Sequence, residues 1–352
     1  MRRLPLFLAL LLCLACSQKP PRPKVVVYTP FPEFTSNELV ETFEKRTGIE
    51  VECVRDGTTK IFGRVRAERE NPRGDVWYGG GGMVPFITAA SEGLLEPYTP
   101  ARWKGLPERR GNLLVRDRDW NWMGMSVIGL GFAYNPQVLR EDELPRTWDD
   151  LGQPQWKGKI EMWDPASSGT AMLFLCAALL RSIQAGEGED AGWAYLIRYW
   201  KNMKNYTVEG KPAFNVARGE SEIGIHFEHQ VLEFLEEQSA GTVGSGAVDN
   251  IRWVLPPDSP VTVDPIALIK GGPNPENGRK FYDFVVSPEG QAIVNRIFFS
   301  IDPTLPPPRG LQGTITYQQM EERAMLLDPV WMADNFDAIR RRWQNEVEAV
   351  PK

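Results

Sequence analysis

Two histidines in 352 residues leave little room for chemistry built on imidazole, and four cysteines leave little for redox or zinc work. Catalysis needs a nucleophile beside a base, or converging metal ligands, and no spacing in the chain supplies either. The sequence therefore predicts a protein that is not an enzyme and that requires no cofactor. No basic run is long enough to track a nucleic-acid backbone. After residue 16 no segment approaches the ~20 consecutive apolar residues that a membrane-spanning helix needs. Internal repeats are absent too. Cys53 and Cys176, far apart in the chain, are expected to be buried free thiols.

What is present begins with a processing signal. Arg2 and Arg3 precede an apolar stretch over residues 4–14, then small Ala15 and Cys16. Roughly 11 apolar residues are too few to span a bilayer. The arrangement resembles a bacterial lipobox, with Cys13 where leucine is usual. It implies a signal peptide over 1–15, acylation of Cys16, and a membrane attachment through that lipid. Residues 16–24 hold three prolines between Lys19 and Lys24, an extended tether. With the leader removed, the net charge of −6 becomes about −8 through loss of Arg2 and Arg3.

The body alternates strand and helix. Residues 24–28 are a short β-branched run and read as a buried strand. Thr35 and Glu38 have the spacing of a capping box, with Leu39, Val40 and Phe43 on one face of the helix that follows. Gly48 stops that helix. Residues 49–54 form a second strand, 60–70 a second helix and 75–78 a third strand, which runs into four glycines. A helix over 84–91 closes at Gly93. This order predicts a parallel sheet covered on both faces. Downstream, strands are expected at 160–163, 223–227, 251–255 and 266–269. Helices are expected at 170–183, 191–204, 228–237, 276–286 and 332–347. Two α/β units in one chain place a ligand in the cleft between them.

Seven segments in order now carry a resemblance. They are VVVYT at 25–29, FEKRTGIEV at 43–51, DVWYGG at 75–80, GLLEP at 93–97, SGT at 168–170, ARGE at 217–220 and SPEGQ at 287–291. Together, behind a lipobox, they resemble the type II periplasmic-binding-protein superfamily, in the cluster of ferric-iron, aminoethylphosphonate and sugar-phosphate binding proteins. The resemblance implies an α/β, two-lobed fold with the ligand cleft between the lobes. Residues 25–127 with 262–315 would form one lobe and 128–261 the other. Hinges would lie near 126–132 and 260–265, and a helical segment over 316–352 would pack on the lobes. It also implies a monomeric, periplasmic or extracytoplasmic receptor that hands its solute to the permease and ATPase of an ABC importer.

The candidate site residues follow. Ser167, Ser168, Gly169 and Thr170 join a strand to a helix. Their hydroxyls and the free amides there suit an anion, and equally suit a plain helix cap. Gly79 to Gly82, with Gly80 and Gly81 central, permit left-handed backbone and close approach of a ligand. Thr29 ends the first strand, and Thr58 and Thr59 follow the second. In sugar-phosphate-binding relatives a histidine and the next acidic residue contact the ligand, which maps onto His229 and Gln230; the amide of Gln230 departs from that pattern. His226 reads as a filler. Ferric-binding relatives place two adjacent tyrosines after the same strand, and this sequence has no adjacent tyrosines. The expectation is capture of a small anionic solute, phosphorylated or phosphonate, by lobe closure. The alternatives are ferric iron or a ferric chelate, and a sensor that feeds a receptor kinase.

Overall fold

Val25, Val26, Val27 and Tyr28 are all buried, so the first strand is covered on both faces. In the computed structural model it runs Lys24–Thr29, with parallel partners on either side, Glu50–Arg55 and Val76–Tyr78. The structure describes residues 22–207, 212–239 and 250–352. The leader, Cys16 and most of the tether lie outside the described residues.

Helix Glu33–Thr47 returns the chain between the first two strands and buries Leu39 and Phe43. The Phe43 ring meets Phe281 edge-on at 5.1 Å, a burial that contributes roughly 1.5–3 kcal/mol. Gly48, at φ 69°, ends the helix in the left-handed region and donates its amide to the Glu44 carbonyl. The helix begins earlier than the sequence predicts. Thr35 and Ser36 lie inside it and are buried, so they form no capping box. The cap is Pro32, whose carbonyl accepts the Ser36 amide at 3.0 Å, the first bond of the helix.

The central sheet departs from an all-parallel reading. Its eight-strand path runs Glu50–Arg55, Lys24–Thr29, Val76–Tyr78, Val261–Ile269, Met123–Tyr134, Ile223–Phe227, Ile160–Trp163 and Met203–Thr207. The outer strands of each half are parallel, whereas the two long strands in the middle pair antiparallel to each other and to their neighbours. Every residue of Met123–Tyr134 and of Val261–Ile269 is buried. The first of these pairs with Val261–Ile269 through its early residues and with Ile223–Phe227 through its late ones. The chain thus passes between the two halves inside strands, and the segments read as hinges are extended and hydrogen-bonded.

Helix Gly169–Gln184 is apolar nearly all round and fills the second half's core beside helix Glu189–Asn202. Helix Pro329–Arg342 packs on Gly169–Gln184 and also on Val84–Ser91. Beyond it Trp343 is fully buried, its indole N–H donating to Tyr206 at 2.6 Å. Cys176 is a buried free thiol; Cys53 is free and only half-buried, because its edge strand is covered on one side. No described helix is long and apolar enough to cross a membrane.

Candidate functional site

The glycine run after Val76–Tyr78 has φ of 73°, 153°, 64° and 115° at Gly79 to Gly82, a path that side-chain-bearing residues rarely adopt. Its amides are directed inward. Gly79 donates to the Pro265 carbonyl at 2.8 Å, and Gly82 to Oδ1 of Asp264 at 3.1 Å. Asp264 is buried at a register shift in its strand, opposite Ser126. Burial pushes its carboxyl up to about 6, and the amides of Gly82, Gly81 and Gly80 oppose that push. The loop therefore wraps a carboxylate of the protein itself.

Across from the loop begins helix Gly169–Gln184. Ser168 caps it, its hydroxyl accepting the Ala171 amide at 3.4 Å, and no acidic residue occupies the first turn. Thr170 is buried. A Cβ added to Gly169 would lie 3.4 Å from the Gly81 carbonyl oxygen and 3.5 Å from that of Gly80. Loop and helix start are thus neighbours across the junction of the two sheet halves. Thr58 is the first residue of helix Thr58–Ala67, not a loop residue, and its hydroxyl donates to the Gly80 carbonyl at 2.8 Å. Thr58, Gly80, Gly81, Gly169 and Thr262 line one cavity of about 50 Å³, closed on its apolar side by Met172 and Phe336.

The remaining expected residues gather elsewhere. Thr29 is buried and its hydroxyl accepts the Phe31 amide at 3.0 Å. Phe31 stacks on Phe298 at 4.2 Å, and His229 stacks on the same ring at 4.5 Å. Burial lowers the pKa of His229 to about 3, with a smaller push from His226, so the ring is neutral. Its Nδ1 is buried without a hydrogen-bond partner. His226 packs where a Cβ on Gly224 would have to be, 2.4 Å from Nε2. That contact fits the filler reading. Gln230 accepts the Phe227 amide at 3.0 Å and so caps helix Glu228–Ser239.

Sequence reasoning missed the acids. Glu228 is fully buried; Oε2 accepts the Gly129 amide at 2.7 Å and Oε1 has no partner. Burial holds its carboxyl well above the usual range. Ser126 Oγ and Thr262 Oγ1, on the two long strands, are likewise buried and unpartnered. A signal existed in the sequence: Ser126, Thr262 and Asp264 interrupt otherwise apolar runs. Among the described residues no group of three or more His, Cys, Asp or Glu converges as a metal site would.

The sequence profile of a bacterial extracellular solute-binding protein family matches residues 84–315. The chain belongs to that family. A periplasmic protein of Salmonella typhimurium, whose name proposes 2-aminoethylphosphonate as its ligand, is 28% identical over 73% of this chain and 70% of its own length. Iron uptake protein A1 of Synechocystis is 22% identical over 80% of this chain and 78% of its own. Among solved structures, the periplasmic binding protein AfuA of Actinobacillus pleuropneumoniae, with fructose-6-phosphate bound, superposes with a TM-score of 0.74. It is 26% identical and covers 93% of this chain and 99% of AfuA. The two halves are the lobes of a type II periplasmic binding protein, and the class is that of ABC-importer solute receptors, which work with a permease and an ATPase.

Proposed function

We propose that this protein captures a small phosphonate or phosphate ester between its lobes. The observation that carries the reading is the start of helix Gly169–Gln184, capped by Ser168, free of acidic side chains and turned to the opposite lobe. The first amides of a helix and its dipole favour an oxyanion. Ser168, Gly169 and Thr170 hold the anion, and Thr58 with Gly80 and Gly81 forms the facing wall. His229 reads the rest of the solute, while Thr29 and Gln230 fix the backbone around it. The named ligands of the Salmonella and Actinobacillus proteins, a phosphonate and a sugar phosphate, support this class.

Residues 25–127 with 262–315 move as one lobe and 128–261 as the other, about hinges in the two long strands. Ligand contacts on both lobes favour the closed arrangement to the extent of their differential affinity. The lipid on Cys16 holds this monomeric receptor at the membrane, outside the cytoplasm. Thermal unfolding of the body from residue 17 onward, screened against phosphonates, phosphate esters and ferric salts, tests the ligand class. A ligand at 100 times its Kd stabilises by about 2.7 kcal/mol, a shift of several degrees. Stabilisation by a phosphonate or phosphate ester that Thr170→Ala removes is the expected result. A response to ferric salts alone would transfer the protein to the iron binders named among its relatives.

A further inference from the structure

A glycine loop wrapped around an internal carboxylate cannot offer the same amides to a ligand. A peptide group is planar and trans, so the carbonyl of one residue points opposite to the amide of the next. The amides of Gly81 and Gly82 face Asp264. The carbonyls of Gly80 and Gly81 consequently face the other way, toward Gly169. The helix start supplies donors, and the loop confronts it with acceptors.

We propose that Asp264 is a positioning residue that makes this wall an acceptor wall, so that the site selects an oxyanion still carrying a proton or hydroxyl over one that carries none. The inference rests on the anion-capture reading and sharpens it: phosphonates and phosphate esters fit, whereas sulfonates and sulfate do not. A phosphate monoester loses its second proton only near pH 6, so a protonated oxygen is available at little cost. A sulfonate has no such proton. Its oxygens would meet the carbonyls acceptor to acceptor, leaving buried groups unpaired.

Three further features hold the loop in this attitude. Asp264 keeps the regular alternation of its strand, so that it and Thr262, two residues earlier, both face Gly82. The Gly79 amide is anchored on the Pro265 carbonyl next door. Thr58 occupies one lone pair of the Gly80 carbonyl and leaves the second free.

Calorimetric titration of the wild-type body with 2-aminoethylphosphonate, glucose 6-phosphate and 2-aminoethylsulfonate tests the selection, and amide hydrogen exchange over residues 79–82 tests the loop. The better phosphorus compound should bind at least ~100-fold tighter than the sulfonate, as sites built for a specific hydrogen bond reject analogues lacking it. In Asp264→Ala those amides should exchange faster and the preference should shrink to under ~10-fold. Asp264→Asn, which keeps one acceptor oxygen and the side-chain shape, should fall between and serves if the alanine variant does not fold. Equal affinity for the sulfonate and the phosphorus compounds overturns the inference and leaves anion capture standing. Binding of none of the three overturns both. Unchanged exchange over 79–82 in a folded Asp264 variant overturns the role of Asp264.

Discussion

His229 and Phe298 lie ring on ring, centroids 4.5 Å apart and 27° from parallel, although they come from different lobes. The imidazole is therefore held as an apolar surface, with its neutral form selected by burial. Phe31 continues the stack on the far face of Phe298. Aromatic pairs of this kind contribute about 0.5–1.5 kcal/mol beyond area alone.

This environment sets an acid limit on stability. His229 has a folded pKa of about 3 against an ordinary value of 6.5. The neutral ring's contribution is complete above pH 6.5 and is lost as pH falls toward 3. His229→Phe keeps the stack without the titrating group. Relative to wild type it should gain roughly 3 kcal/mol between pH 7 and pH 4 in denaturant unfolding. A pH-independent difference would show that the ring is hydrated in solution.

Glu161 behaves in the opposite sense. It is buried, accepts hydrogen bonds from Asn215 and Ser221, and burial raises its pKa to about 7. Its favourable contribution is complete below pH 4.5 and is lost as pH rises through 7. Glu161→Gln should therefore be about 3 kcal/mol more stable than wild type at pH 8.5 and equal to it at pH 4. Thermal melts at the two pH values decide this.

The C-terminal segment is anchored in the core through one side chain. Trp343 is fully buried, and its N–H meets both Tyr206 and Glu348. Trp343→Ala should destabilise by about 3–5 kcal/mol, and Trp343→Phe by less, in urea unfolding. A loss below 1 kcal/mol for the alanine variant would mean that the segment detaches freely.

The lipid attachment at Cys16 has a direct readout. Expressed with its leader in a bacterial host, the wild-type protein should fractionate with membranes, and Cys16→Ser should appear in the soluble extracytoplasmic fraction. Identical fractionation of the two would remove the lipobox reading.

Much of the fold was legible because the outer strands of each half obey local rules. Lys24–Thr29 and Ile223–Phe227 are short apolar runs with helices after them, and period and punctuation suffice to find them. Of the two long strands only 266–269 was expected as a strand, because their pairing is non-local: Val261–Ile269 meets Val76–Tyr78 far away in sequence. Helix Pro288–Val294 was seen only as a motif, being too short for periodicity to register. Thr58, Gly80, Gly81 and Gly169 were singled out from their turn chemistry, and all four line one cavity. Asp264 and Glu228 were not, since a carboxylate next to proline or at a helix start looks like ordinary surface until burial is known. Gln230 has a local role that its position in the sequence also allows. A side chain three residues past a strand's last amide is placed to cap that amide, and Gln230 does so.

The passage of the chain through the long strands also bears on the order in which the protein is made. Strand Val76–Tyr78 finds its antiparallel neighbour only in Val261–Ile269. A nascent chain that ends before residue 260 therefore carries a first lobe with one side of its sheet unpaired, and an unpaired strand recruits other chains. The first lobe cannot complete itself as a separate unit during synthesis; it waits for the second to be threaded through it. Such late closure gives a slow, contact-order-limited folding step.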